Sequence, residues 1–149
     1  MNSHHTVAIG TWEGDKQQSI EYNSSIAVGI DCPRAKLRVS ILLDTIQEYQ
    51  VRYIFSDEEI SEAVNEAGLI IGARGIAYEG VLQRKPVIVV GEYGFGGLVT
   101  PDTLHEQYNN YFRGKINGIK AEYFSLERLE EEIRRGFALT FQELQMMSN

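Results

Sequence analysis

Apolar residues fall along the chain in two kinds of block, short uninterrupted runs and stripes at helical spacing, and the two kinds alternate. The runs at 7–10, 26–30, 51–55, 69–71 and 86–91 predict strands, and the last two carry no polar side chain, as strands buried on both faces do. Pro33 suits a first helical position, and Ala35, Val39, Leu42, Ile46 and Tyr49 recur behind it at spacings of four and three to form one buried face. Ser56 with Glu59 is a capping-box pattern that opens a helix through Ala67, with Ile60, Ala63, Val64 and Ala67 turned inward. Residues 76–83 predict a further helix, which joins the runs at 69–71 and 86–91 into a strand–helix–strand unit of parallel type.

Beyond that unit, Thr100 and Pro101 read as the N-cap and first residue of a helix reaching about Asn110, and residues 121–124 as a short edge strand. A last helix opens at Ser125, with a stripe of Leu126, Leu129, Ile133, Phe137, Phe141 and Leu144. If its far end overhangs the domain, Phe141 and Leu144 become a partner surface, while the charge run at 127–132 reads as a solvated face. Residues 13–25 show no clear period and fit a loop, a short helix or part of a hairpin. The alternation as a whole predicts an α/β layered domain with a mainly parallel sheet flanked by helices.

Candidate chemistry concentrates where the strand at 69–71 enters the next helix. Gly72, Ala73, Arg74 and Gly75 form a tight turn there, and such a turn leaves N–H donors free at a helix N-terminus, a seat for an anion such as a diphosphate. Arg74 adds a fork of charged donors suited to phosphate, and Glu79, one turn later, can accept from vicinal sugar hydroxyls. The same glycines, arginine and glutamate also suit a tight turn, a surface ion pair and a helix-dipole contact. A second glycine-rich stretch, 91–97, lies at the carboxyl end of a strand, where open α/β sheets bind ligands, and it serves equally well as a flexible connection. Arg113 and Lys115 are further cations that can reach phosphate if that stretch folds back, or simply a solvated basic face.

Residues 67–75, then Tyr78, Glu79, Gly80, Val81 and Leu82, then 85–91 together resemble the C-terminal, nucleotide-sugar-binding half of GT-B fold glycosyltransferases. In those proteins an apolar strand, a turn and a helix carrying Leu-Glu-Ala-Met-Ala are followed by a Gly and a Lys-Pro-Val-Ile strand. Gly96, Gly97 and residues 98–102, followed by Asn109, Asn110, Phe112 and Gly114, look like a further segment of some such transferases, so the resemblance spans about 50 to 135. It implies a single Rossmann-like domain over 1–149 that binds a nucleoside-diphosphate sugar. Glu79 would sit on the ribose, and Gly72, Arg74 and Gly75 beside the diphosphate, with Gly96 and Gly97 as further substrate contacts. Two departures stand out: many retaining members carry a second glutamate where this chain has Ile71, and the usual Gly before Lys-Pro is Arg84.

A GT-B enzyme uses two such domains, so 149 residues correspond to the donor half: either a partner chain supplies the acceptor half, or the chain is an excised or degenerate remnant, and a homo-oligomer is a further expectation. The alternative expectation is a noncatalytic nucleotide-binding or protein-interaction domain, and a sugar-nucleotide epimerase is a related enzyme reading. With 43% hydrophobic residues and no apolar run near the ~20 residues of a membrane span, no membrane span is expected. Met1, Asn2, Ser3, His4 and His5 lack the basic-then-apolar order of a secretory leader. A lone cysteine, Cys32, suits a reducing cytoplasm and reads as an inert loop residue. The net charge of −7 argues against nucleic acid as a partner. His4, His5 and His105 have no zinc spacing, so neither metal nor cofactor is expected, and Walker, nucleophile-elbow and complete dinucleotide-binding motifs do not occur.

Overall fold

The computed structural model describes residues 4–13, 16–115 and 118–149. Its strands are β1 (His4–Glu13), β2 (Lys16–Asn23), β3 (Ile26–Gly29), β4 (Val51–Tyr53), β5 (Leu69–Gly72), β6 (Val87–Gly91) and β7 (Gly94–Leu98). The helices are α1 (Pro33–Ile46), α2 (Ile60–Glu66), α3 (Gly75–Leu82), α4 (Leu104–Asn109), α5 (Leu126–Phe137) and α6 (Phe141–Met147). Strands β3 to β7 form a five-stranded sheet in the order β4-β3-β5-β6-β7, parallel except for β7. This is a Rossmann-like α/β layered domain. β1 and β2 pair antiparallel in a separate two-stranded sheet, so Lys16–Asn23, within the polar stretch at 13–25, is a strand, and the chain leads on from it into β3.

Strand side chains alternate between two apolar clusters. Ile26, Val28, Leu69, Ile71, Ile88 and Val90 meet Val39 and Leu42 of α1 and Leu129 and Ile133 of α5. Ala27, Ile70, Val87 and Val89 meet Val64 of α2 and Ile76, Ala77 and Val81 of α3 on the opposite face. Burial on both faces is why these strands read as unbroken apolar runs. From β3 the chain moves outward to β4, then turns back past β3 to β5 and β6. Right-handed crossovers therefore put α1 on one face and α2 with α3 on the other, and the reversal opens a crevice above the carboxyl ends of β3 and β5.

Several expected elements are reshaped. The stretch at 91–97 is a β-hairpin rather than a loose loop: Glu92 and Tyr93 turn the chain and β7 returns beside β6. Its glycines answer close neighbours, since a Cβ on Gly96 would stand 3.0 Å from Val89 and from the Gln107 side chain, and Gly97 has φ +78°. β4 stops at Tyr53, short of Phe55, and the Ser56 cap opens a 3-10 turn (Asp57–Glu59) before α2. Residues 100–103 form a turn and α4 begins only at Leu104, because the Thr103 hydroxyl is drawn back to the Leu98 carbonyl. Residues 121–123 are a turn, not an edge strand; the Phe124 carbonyl accepts from Arg38 Nε at 2.9 Å, and its ring stacks on Phe95.

The C-terminal stripe is split between α5 and α6, because Thr140 and Glu143 cap a new helix after a break at 138–140. Leu144 packs into the second cluster, while Phe141 remains 65% exposed. Nor is 127–132 wholly solvated. Glu132 is 2% exposed and bonded to Arg135 at 2.8 Å, with Arg128 at 3.4 Å.

Two expectations follow. A Cβ on Gly72 would lie 2.4 Å from the Gly29 carbonyl oxygen and 2.7 Å from Ile76 Cγ2, so Gly72→Ala must push α3 off the sheet. Urea denaturation should register a loss of about 1–3 kcal/mol or more. Glu59 accepts from the N–H groups of Phe55 and Ser56, which hold its carboxyl below the ordinary 4.5 despite an opposing effect of desolvation. A depressed carboxylate stabilises the fold above its unfolded pKa and ceases to do so as pH falls through the folded value. Glu59→Ala should therefore melt below the parent at neutral pH, and thermal scans should show the gap closing as pH drops below about 4.5.

Candidate functional site

Above the carboxyl ends of the parallel strands lies an open cleft of about 600 Å³, within the size range of roughly 300–1,000 Å³ usual for small-molecule sites. Each strand contributes its following loop. Gly29, Ile30, Asp31 and Cys32 come from β3; Ile54, Phe55, Ser56 and Asp57 from β4; Ala73, Arg74 and Gly75 from β5; and Gly91 with Glu92 from β6. Tyr111 closes one side. This is the crevice at which the strand order reverses.

The floor of the cleft is a close backbone contact. Gly29 and Gly72 pair in register, and Ile76 sits on both, so that a Cβ on Gly29 would be 2.8 Å from Ile76 Cδ1. With α3 starting this close to the strand ends, the connection from β5 is only Ala73 and Arg74, and Arg74 takes the sharp bend at φ 57°, ψ −125°. That is a strained conformation for a residue with a Cβ. Neighbouring segments hold it: Arg74 N–H donates to the Phe112 carbonyl at 3.0 Å, and its own carbonyl accepts from Tyr78 N–H at 2.9 Å. Helix geometry leaves the N–H groups of Gly75, Ile76 and Ala77 without intrahelical acceptors.

Gly75 differs from Gly72. Its φ is not positive, and the nearest atom to a Cβ built there is Ile60 Cδ1 at 3.8 Å, so the protein's own packing does not require a glycine. The space it leaves open is at the start of α3, on the cleft wall.

Charge in the cleft is mixed. Asp31, Asp57 and Glu92 face one lining cation, Arg74, among the described residues. Arg74 Nη2 donates to Glu92 Oε1, and this hydrogen bond, with the attraction between the two charges, raises the Arg74 pKa and lowers that of Glu92. Arg113 Nε stands 3.4 Å from the same oxygen. Phe55 is 77% exposed at the rim, with Lys36 Nζ 4.3 Å from its ring centre.

The residues expected to bind a ligand divide accordingly. Gly72 is buried beneath the cleft against Gly29 and Ile76 and does not line it, whereas Arg74 and Gly75 line the wall. Glu79 lies one turn along α3, outside the lining, where its carboxylate accepts from Gln83 Nε2 at 2.8 Å. Gly96 and Gly97 belong to β7 and do not line the cleft; the Gly96 carbonyl accepts from Gln107, and Gly97 faces Glu132. Arg113 reaches the rim through Glu92, and Lys115 is exposed.

No local sequence signal marks Asp31, Phe55, Asp57 or Tyr111 as part of a site, and Glu92 stands out only as a member of the 91–97 stretch. The first three follow the carboxyl ends of β3 and β4, and the strand-end rule identifies them once β4 is placed beside β3. Among the described residues no helix is long and apolar enough to cross a membrane, and no group of three or more His, Cys, Asp or Glu is placed to hold a metal ion. No protein-family model, curated protein or solved structure matches the chain.

Because nothing in the fold uses the space at Gly75, Gly75→Ala should melt at the parent's temperature or up to about 4 °C above it. Calorimetry of the two proteins side by side checks this, and a large loss of stability would mean that the turn needs the glycine after all.

Proposed function

We propose that the cleft binds a nucleoside-diphosphate sugar and that the domain acts as the donor-binding half of a glycosyltransferase, transferring sugar only when an acceptor-binding half faces it. The observation that carries this reading is the turn at Arg74 and Gly75, which opens α3 at the strand-order reversal with free N–H groups and an unfilled space beside them. The diphosphate rests on the N–H groups of Gly75, Ile76 and Ala77, with the Arg74 guanidinium beside it. The exposed ring of Phe55 offers a flat apolar face to the base. Asp31 and Asp57 line the cleft and Glu79 does not, so the ribose hydroxyls fall to the first two. On transfer, the same N–H donors and Arg74 stabilise charge building on the leaving diphosphate.

A second reading, a noncatalytic nucleotide-binding domain, is favoured by one observation. Ile71, at the place of the second glutamate of retaining transferases, is wholly buried between the sheet and its helices, where a carboxylate has no room. Both readings place the protein in the cytoplasm, where the free Cys32 on the cleft wall stays reduced.

Calorimetric titration with UDP, GDP, ADP and their sugar conjugates tests the common premise. Saturable binding of one nucleotide series is expected, weakened about tenfold or more by Arg74→Ala, as loss of a charged hydrogen bond implies. Glu79→Ala should leave affinity within about twofold. Silence from every nucleotide at millimolar concentration would overturn the binding reading.

A further inference from the structure

The Arg74–Glu92–Arg113 cluster at the cleft rim brings together three charged side chains from three separate segments: the β5–α3 turn, the β6–β7 hairpin and the loop after α4. One oxygen, Glu92 Oε1, serves both guanidiniums. It serves the second poorly. Arg113 Nε is buried and has no hydrogen-bond acceptor among the described residues, although it lies only 3.4 Å from that oxygen. A buried donor left unpaired calls for an explanation, and an acceptor that the ligand-free protein lacks is one.

Resting on the reading of the cleft as a diphosphate site, we propose that Glu92 is an internal stand-in for phosphate. Its carboxylate holds the Arg74–Arg113 pair in the free protein and swings away when a phosphate group of the ligand takes its place. The ligand group then bridges the two guanidiniums and satisfies Arg113 Nε. Two observations support the exchange. Phosphate has three oxygens to share between two forks, where Glu92 uses one oxygen for both. Arg74 and Glu92 are 46% and 44% exposed, so their ion pair is of the weak, solvent-screened kind that a more highly charged anion can displace.

The backbone beneath Glu92 does not have to move. Tyr93 N–H is fixed to the Arg113 carbonyl at 2.9 Å, and Arg113 Nη1 donates to the Tyr93 hydroxyl at 3.2 Å, so a rotation of the Glu92 side chain is enough. Those same contacts keep Arg113 at the rim after Glu92 leaves. Glu92 thereby lowers the affinity of the site for any anion too weak to displace it, which makes it a selector for diphosphate over singly charged competitors.

The test uses inorganic pyrophosphate, with inorganic phosphate for comparison, titrated into the parent protein, Glu92→Gln, and Glu92→Gln combined with Arg74→Ala and Arg113→Ala. Circular dichroism and melting temperature check that each is folded. Glu92→Gln should bind pyrophosphate about two- to fivefold more tightly than the parent, the release of one exposed ion pair. Inorganic phosphate should gain by a larger factor, and the gain should vanish when both guanidiniums are removed. Equal or weaker pyrophosphate binding by Glu92→Gln overturns the proposal, as does a gain that survives without the arginines, which would mark a general charge effect. Absence of pyrophosphate binding at millimolar concentration in parent and Glu92→Gln also overturns it. If a nucleoside diphosphate still binds the parent in that case, the donor-site reading stands without the Glu92 exchange. Tighter pyrophosphate binding with no nucleotide bound gives the reverse outcome, an anion site in a protein that is not a nucleotide binder.

Discussion

The approach of β3 to β5 at Gly29 and Gly72, with Ile76 of α3 seated over both, is the contact on which the rest of the site depends. Because neither position carries a Cβ, the first turn of α3 lies almost on the strand ends. That closeness shortens the β5–α3 connection to two residues and forces the bend onto Arg74, whose positive φ is held by the Phe112 carbonyl. The strained residue then delivers its guanidinium to the rim while the free N–H groups behind it open on the cleft. A larger residue at Gly72 would force α3 away from the strand ends, and the proposed anion seat would be lost with that closeness. Strain at Arg74 and close packing at Gly72 are two sides of one constraint.

The edges of the sheet show how the same fold limits unwanted pairing. β4, on one edge, is only three residues long and carries Arg52, which is ringed by Glu59, Glu62 and Glu66. A short, charged edge is a poor template for a strand from another chain. β7, on the other edge, has backbone groups taken by other segments, since Phe95 N–H donates to the Ile119 carbonyl and the Gly96 carbonyl accepts from Gln107, while α5 packs against its face. There the absent side chain at Gly97 leaves room for the Glu132 carboxylate, which would be 2.9 Å from a Cβ, and Arg128 and Arg135 reach in from solvent to neutralise it. Its buried charge is thus paired with arginines whose heads stay half in water, which avoids most of the desolvation cost of a fully buried pair.

The sheet and its main helices were legible because their signals are local. Unbroken Leu-Ile-Ile and Val-Ile-Val-Val runs are short, rich in β-branched residues and bounded by glycine or proline, which favours strands covered on both faces, and Pro33 and Ser125 mark helix starts that tertiary contacts did not shift. What was misread depends on partners distant in sequence. The glycines of 94–97 look like a loop until Val89, Gln107 and Glu132 are placed beside them, and Phe124 looks like a strand residue until Arg38 takes its carbonyl. The same holds within the site. Arg74 and Gly75 were visible at a strand–helix junction, but Asp31, Phe55 and Asp57 join them only because β4 returns to the far side of β3, which no local pattern encodes. Glu79 was singled out by its spacing from the turn, and spacing along a helix does not say whether a carboxylate points into the cleft or along the helix to Gln83.

An acidic chain is an unpromising host for the proposed diphosphate, but elementary electrostatics makes the two compatible. At a net charge of −7 the field at long range repels an anion, but at physiological salt that repulsion decays over about 8 Å. Within the cleft, the attraction that the proposed function requires would come from oriented N–H dipoles and a guanidinium at contact distance, where screening is ineffective. Weak long-range repulsion and strong short-range attraction together would slow encounter more than they would weaken the complex. On the proposed reading such a site would discriminate by fit: an anion that could not reach the turn N–H groups would meet only Asp31, Asp57 and Glu92, and one that reached them would still have to displace a carboxylate from Arg74.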